Sequence, residues 1–497
     1  MKELNRILLG LGSVSALAPA VSAAQDAPEK TRPNILFIAV DDLKTSVSPY
    51  GDTLARTPSL ERIASEGVTF MNNYCQFPLS GPTRASLLTG LRPDHTGVYT
   101  LDGIFRKNNP EAVTLPEYFK LNGYETIGIG KIFHPLADKE YNNDPESWTR
   151  PYIMPSAPVY VLSEGKPATE CVDVPDNAYK DGMVAEAAVK QIAGLKDSGK
   201  PFFLAVGFIR PHLPFVAPKK YWDLYERENM PLAEFRQMSA DPVLCAYHNS
   251  NEVKAYTDIP SFHSFMPGEE LDEDIQRQLI HGYYACASYT DAQIGKVLDA
   301  LEDNGLAENT IVVVWGDHGY HLGDHGLWSK LTNFESPTRT VLMISAPDTK
   351  KGVKCRTMTE FVDVFPTLCE LAGLVIPQGL DGTSLVRLMN NPKAKVKDYA
   401  FMQANRQEIQ GYSIRDGRYR YVEWVRGFNT TMEFDPGQVV GREFYDYATD
   451  PLETENAVRD PRYRKQVKKM EERLHRFYEE QRESPACKAM ADSQKTM

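Results

Sequence analysis

Five short apolar runs, at 34–40, 126–130, 202–208, 310–315 and 341–346, are rich in β-branched or aromatic residues and carry no charge. A strand wetted on one face alternates polar with apolar, so runs that do not alternate belong to strands buried on both faces. Helical patterns lie between them. Ile275, Leu279, Tyr283 and Cys286, then Ile294, Leu298 and Leu301, recur at three- and four-residue spacing, as on the buried stripe of a long helix. A second helix is expected over 183–195. Strands alternating with helices imply an α/β fold, a large mostly parallel sheet sandwiched by helices, with ligands bound outside the carboxyl ends of the strands.

The pattern changes at Asn390-Asn391-Pro392, where a Lys-rich stretch runs to Lys397. Beyond it, strands are expected at 399–403, 411–414, 418–422 and 444–447, with a charged helix over 461–483. Asp416-Gly417 is a hairpin signal between two of them. The expectation is a smaller C-terminal antiparallel sheet with one helix, and a division into a leader at 1–24, a main domain at 30–390 and an α+β subdomain at 396–485.

The leader reads from its own residues. Lys2 and Arg6 precede an apolar stretch that ends in the small residues Ser22-Ala23-Ala24, the pattern of a secretory signal peptide. The protein is therefore expected to be exported, periplasmic or secreted. With a mean hydropathy of -0.41 and no later apolar run of membrane-spanning length, no transmembrane segment is expected. The seven cysteines are odd in number and form no CxxC pair, which argues against a zinc ribbon or redox motif. Cys286 and Cys369 sit in apolar helical contexts and are expected in the core.

Charge narrows the partners. The chain carries 55 basic and 67 acidic residues; without residues 1–24 these become 53 and 66, a balance of -13. Nucleic acid is excluded as a general partner, because phosphate neutralisation needs a basic face. Any other polyanion would be repelled unless positive charge is gathered at one place.

Four clusters at or after the strand ends could do chemistry. Asp41-Asp42 follows the 34–40 run and Asp317-His318-Gly319 follows the 310–315 run. Either alone fits a solvated turn or a helix cap; together they fit a hard divalent cation, which takes several oxygen ligands, with the imidazole a weaker ligand or a neighbour. Ser80-Gly81-Pro82-Thr83-Arg84 places Ser80 just before an expected helix start, where backbone N–H groups favour an anion and Arg84 can reach back. Such a serine is also an ordinary cap. Lys131, His134 and His212 lie beside glycine or proline and Lys330 follows Trp328-Ser329, each in an expected loop, where lone cations are usually solvated. As a set, a metal, an anion-facing helix start and several cations suit hydrolysis of a phosphate or sulfate ester.

On these residues the sequence resembles the sulfatases of the alkaline-phosphatase-like superfamily. Ser80-Gly81-Pro82-Thr83-Arg84 with Thr89-Gly90 looks like the family signature, between an Asp-Asp strand end and an Asp-His-Gly. Within the family it is most similar to iduronate-2-sulfatases, on Gly130-Lys131-Ile132-Phe133-His134-Pro135, Arg210-Pro211-His212-Leu213-Pro214 and Gly326-Leu327-Trp328-Ser329-Lys330. The resemblance implies that Ser80 is oxidised to formylglycine, whose hydrated aldehyde offers one hydroxyl to attack sulfur and another to release sulfate. It implies that Asp41, Asp42, Asp317, His318 and the modified Ser80 hold calcium, in preference to magnesium. Arg84 would orient the diol, Lys131 and Lys330 bind sulfate oxygens, His134 assist the diol, and His212 protonate the departing alcohol.

Many members carry Cys at the modified position; the Ser type resembles substrates of an oxygen-independent radical maturase that acts before export. The implied substrate is a 2-O-sulfated uronic acid at the end of a glycosaminoglycan oligosaccharide such as heparan sulfate. Another sulfated polysaccharide, a phosphodiesterase or phosphonate hydrolase of the same superfamily, and a non-catalytic glycan-binding protein are the alternatives.

Overall fold

The computed structural model describes residues 32–266, 268–427 and 435–482; the expected signal peptide lies outside them. From Pro33 onward the chain forms one compact unit. Seven strands make its main sheet: β1 (Asn34–Val40), β2 (Val68–Tyr74), β3 (Glu125–Gly130), β4 (Phe202–Phe208), β5 (Thr310–Gly316), β6 (Leu342–Ser345) and β7 (Val353–Glu360). Their order is β7-β2-β6-β5-β1-β4-β3. Only β6 runs antiparallel to its neighbours, so the sheet is mostly parallel, as the unalternating runs require.

The period of two sorts β1 between the two cores. Ile35, Phe37 and Ala39 face one layer and Leu36, Ile38 and Val40 the other, because successive side chains point to opposite faces. The first layer holds the helices α2 (Ser80–Thr89), α3 (Leu115–Leu121) and α6 (Val364–Leu371); the second holds α1 (Pro58–Glu66), α4 (Lys180–Leu195) and α5 (Glu273–Asp303). Cys286 and Cys369 are buried, and all six described cysteines are free.

Strands β2 and β7 are absent from the sequence expectations. The run in β2 is broken by Asn72 and Asn73, and β7 is an edge strand with an alternating, partly exposed pattern. Pairing supplies what their composition hides: Asn73 Oδ1 accepts from Thr359 Oγ1 at 3.2 Å inside the sheet.

Four antiparallel strands, β8 (Ala400–Arg406), β9 (Ile409–Arg415), β10 (Tyr419–Arg426) and β11 (Val439–Asp446), form the second sheet in sequence order. Asp416 and Gly417 make the turn between β9 and β10. The expected C-terminal helix divides: a 3-10 turn, Pro461–Tyr463, leads into α7 (Arg464–Arg482). Met470, Leu474, Phe477 and Tyr478 fall on one stripe of α7 and pack on Phe401, Tyr412 and Tyr421, as an amphipathic helix should. The sheets meet at Glu335. It accepts from Arg420 Nη2 at 2.7 Å, Arg415 Nε at 3.3 Å and Tyr74 Oη at 2.9 Å. Burial alone would raise the Glu335 carboxyl, but the surrounding arginines hold it down to about 2.

Glu443 in β11 shows the opposite balance. It accepts from Trp424 Nε1 at 2.7 Å and Tyr445 Oη at 2.8 Å, yet burial without a close cation pushes it up to about 7. Between about 4.5 and 7 the folded chain keeps a proton that the unfolded chain has lost, so stability falls as pH rises through that window. Glu443→Gln is expected to remove this slope, leaving stability at pH 5 nearly unchanged and adding about 3 kcal/mol at pH 8. Urea unfolding at the two pH values checks it; equal midpoint shifts at both would contradict the assignment.

Candidate active site

Adjacent strands bring the two acidic pairs together. β1 and β5 run parallel with Val40 opposite Gly316, so Asp41-Asp42 and Asp317-His318 leave the sheet side by side. The Asp42 amide donates to Asp317 Oδ1 at 2.9 Å. Asp41, Asp42, Asp317 and His318 are all fully buried.

α2 then delivers Ser80. The sequence suggests Ser80 as the cap; instead Leu79, extended at φ -151 and ψ 131, holds that place and Ser80 opens the helix. Its side chain is thereby free of capping and donates to Asp41 Oδ1 at 3.0 Å, with His318 Nε2 3.3 Å away. His318 Nδ1 lies 2.9 Å from the Gly319 carbonyl. A carbonyl only accepts, so the proton sits on Nδ1 and the Nε2 lone pair faces Ser80.

Arg84, one turn into α2, is wholly buried. Its Nε donates to Asp317 Oδ2 and its Nη2 to Asp41 Oδ1, both at 3.0 Å, while Nη1 donates to the Lys131 and Ile132 carbonyls at 2.6 and 2.9 Å. Burial would raise Asp41, but Lys131 and Arg84 hold it well below the carboxylate range. Burial and the neighbouring Asp41 push Asp317 up. The two carboxyls are thus driven apart by one shared set of charges.

Lys131 Nζ is paired with Asp41 Oδ2. It reaches the site because Gly130 ends β3 at φ +74, and a Cβ there would run into the Gly207 carbonyl of β4. Lys330 Nζ donates to Asp42 Oδ2 at 2.9 Å. His212 Nε2 stands 4.0 Å from the same Asp42 oxygen, with its Nδ1 donating to the Leu213 carbonyl at 2.7 Å. His134 is held down to about 3, first by burial and then by Lys131. Among the described residues it hydrogen-bonds to no other side chain of the site, and its buried Nδ1 has no partner.

One residue escapes sequence reasoning. Glu252 accepts from Lys330 Nζ at 2.8 Å and Ser329 Oγ at 2.8 Å, and its Oε1 lies 3.4 Å from His212 Nε2. Burial opposes its charge, yet Lys330 and His212 hold it down to about 2. No local motif marks it, since it stands in a single helical turn, Asn251–Lys254, among other polar residues.

The donor set fits a hard dication. Asp42 Oδ1 is buried without a hydrogen-bond partner among the described residues, with His318 Nε2 3.4 Å away. Ligand atoms of Asp42, Asp317 and His318, and of Asp41, Asp42 and His212, lie within 4.8 Å of one another. Clustered carboxylates with an unsatisfied oxygen suit an ion that demands oxygen ligands.

A buried serine beside acidic pairs at two strand ends, with cations pointing inward, can take the ester of an oxyanion, and similarity to known proteins makes the chain a sulfuric ester hydrolase of the alkaline-phosphatase-like fold. The chain belongs to the sulfatase family: the family profile described as Sulfatase matches residues 33–374, and one described as N-sulphoglucosamine sulphohydrolase, C-terminal, matches 323–480. Iduronate 2-sulfatase of Mus musculus is 33% identical, over 89% of this chain and 94% of the mouse protein. A solved structure in complex with D-glucosamine-2-N,6-O-disulfate superposes with TM-score 0.73 at 24% identity, covering 93% of this chain and 99% of that one. The phosphonate monoester hydrolase of Agrobacterium radiobacter also superposes with TM-score 0.73, at 21% identity, over 92% of this chain and 97% of its own. At such identities these two likenesses carry the fold alone.

Proposed function

We propose that the protein is an exported exo-sulfatase that releases the 2-O-sulfate of a terminal uronic acid on glycosaminoglycan oligosaccharides. The observation that carries this reading is the convergence on Ser80 of Asp41, His318 and the inward cations Arg84, Lys131 and Lys330; similarity to iduronate 2-sulfatase supports the sugar. Residues 30–390 would form the catalytic part, 396–485 a supporting subdomain, and residues 1–24 the export signal.

Asp41, Asp42, Asp317 and His318 would hold calcium, which when bound neutralises the carboxylates and draws electron density from a sulfate oxygen. Conversion of Ser80 to formylglycine, by a maturase acting before export, supplies the oxygen nucleophile. Arg84 fixes that position from inside α2. Lys131 and Lys330 carry the positive charge that offsets the sulfate, and His134, kept neutral, assists the attacking hydroxyl. As the sulfur–oxygen bond to the sugar breaks, His212 gives the departing oxygen a proton from Nε2; its Nδ1 cannot, being committed to the Leu213 carbonyl.

A panel of defined 2-O-, 6-O- and N-sulfated disaccharides, with a phosphonate monoester alongside, tests the assignment through sulfate or phosphonate release. Turnover is expected on 2-O-sulfated uronates. Reaction confined to N-sulfated sugars or aryl sulfates overturns the sugar, and faster reaction of the phosphonate overturns the ester.

A further inference from the structure

The chain as a whole is acidic, with a balance of -12, yet positive charge is gathered at one place besides the surroundings of Ser80. A groove of 680 Å³ lies between the edge strand β7, the 393–399 segment, the β9–β10 turn and Lys469 of α7. Six cations line it, Arg356, Lys393, Lys395, Lys397, Arg418 and Lys469, against the carboxylates of Asp398 and Asp416. The Lys-rich stretch after Asn390-Asn391-Pro392 supplies half of the cations.

Three of these charges are used within the fold. Lys397 Nζ donates to Glu360 Oε2 at 2.7 Å and to Asp363 Oδ1 at 2.6 Å. Arg418 holds Asp446 through Nε and Nη2 at 2.7 and 2.6 Å, and Lys395 pairs with Asp398. Arg356, Lys393 and Lys469 are exposed and form no ion pair among the described residues. Asp416 is turned to its own turn, its Oδ1 accepting from the Arg418 and Tyr419 amides, both at 2.7 Å. The charge left to face the groove is therefore positive.

Local structure holds these cations in place. The pairing of β7 with β2 skips from Cys355 to Met358, so Arg356 stands in a bulge, which re-aims the side chains it contains. Cys355 Sγ lies 3.8 Å from the Pro392 carbonyl, and Thr357 Oγ1 donates to the Ala394 carbonyl at 3.2 Å. These contacts fix the backbone that carries Lys393 against β7, and Lys397 anchors the same segment a turn later. A charged edge strand also deters pairing with another sheet. That accounts for Arg356 alone, since Lys393 and Lys469 lie off the sheet. The groove shares no residue with the active site, and β7 is three strands from β5, about 14 Å at the spacing of neighbouring strands.

We infer that this groove is a second, non-catalytic site, which binds a sulfated stretch of glycan chain. Cations focused in a concave wall attract an anion that the rest of an acidic surface repels. The groove's volume falls in the range of clefts that hold small ligands, about 300–1,000 Å³, and so suits sugar units rather than the broad face that a duplex covers. Sulfated carbohydrate is also the polyanion that a sulfatase meets. The inference rests on that substrate class and not on the uronate.

The test reads binding by calorimetry, with full-length Ser80→Ala protein so that nothing is turned over. The probes are a heparin octasaccharide, its unsulfated counterpart, and a DNA oligonucleotide of equal charge. Arg356→Gln, Lys393→Gln and Lys469→Gln together are expected to weaken binding of the heparin octasaccharide about 5- to 100-fold. The same change is expected to shallow the loss of affinity between about 50 and 200 mM salt. With Ser80 intact, the triple variant is expected to keep kcat/KM on a sulfated disaccharide, too short to span both sites, within about twofold of wild type. Arg356→Lys with Lys393→Arg and Lys469→Arg is expected to keep the octasaccharide affinity. An unchanged affinity in the glutamine variant overturns the site, as does equal binding of the unsulfated chain. DNA held as tightly as heparin overturns it in favour of a nucleic-acid surface, and a matching fall in disaccharide turnover overturns it by placing the effect at Ser80. Sulfate release only from sugars other than 2-O-sulfated uronates defeats the uronate reading and leaves the groove standing.

Discussion

Ser80→Ala is expected to lower kcat by at least about 10⁴-fold while leaving the fold intact, because it removes the side-chain oxygen from which the proposed nucleophile is made. The hydroxyl contributes one bond to Asp41; Asp41 keeps Arg84 and Lys131 without it, so no charge is stranded. Sulfate release by single turnover separates a chemical defect from a binding one. Mass spectrometry of the peptide spanning Ser80 in active protein is expected to show the loss of two hydrogens. Full activity with an unmodified serine would defeat the formylglycine mechanism, and residual activity in Ser80→Ala near the wild-type level would move the nucleophile elsewhere.

Arg84→Met is expected to act on stability as well as on rate. The wild-type guanidinium makes four hydrogen bonds from a site with no exposure, two of them to carboxylates. A methionine of similar reach leaves Asp41 and Asp317 buried with one cation fewer. Breaking a buried ion pair from one side typically costs about 3–5 kcal/mol, since the remaining charge cannot be solvated. Urea unfolding at pH 7 reads the loss, which is expected to be greatest in chelator, where no bound cation shares the burden. Pairing Arg84→Met with Asp317→Asn is expected to recover part of the stability but none of the rate. A wild-type midpoint for Arg84→Met would show that the charges are compensated by other means.

How much of this was legible in the sequence depended on whether a residue's partners were local. The apolar runs at 34–40 and 202–208 coincide with β1 and β4 because a strand buried on both faces needs no help from its neighbours to look like one. Strand β2 has Asn72 and Asn73 in its middle, and only pairing with β7 makes sense of them. Asp41, Asp42, Asp317 and His318 were readable as a set since both pairs stand at strand ends, and a parallel sheet carries its strand ends to one edge. Glu252 was not. It is defined by what lies across space from it, Lys330 and His212.

The enclosure of Ser80 also has a consequence in time. The residue is about as buried as a core leucine, 2% exposed, and the walls that cover it include Asp317 and His318, more than two hundred residues further along the chain. On a ribosome, the serine emerges long before its lid has been translated. An enzyme that is to alter Ser80 must enclose the serine in its own active site and is therefore expected to reach it on a nascent or unfolded chain, whereas a substrate need only bring one sulfate group up to it.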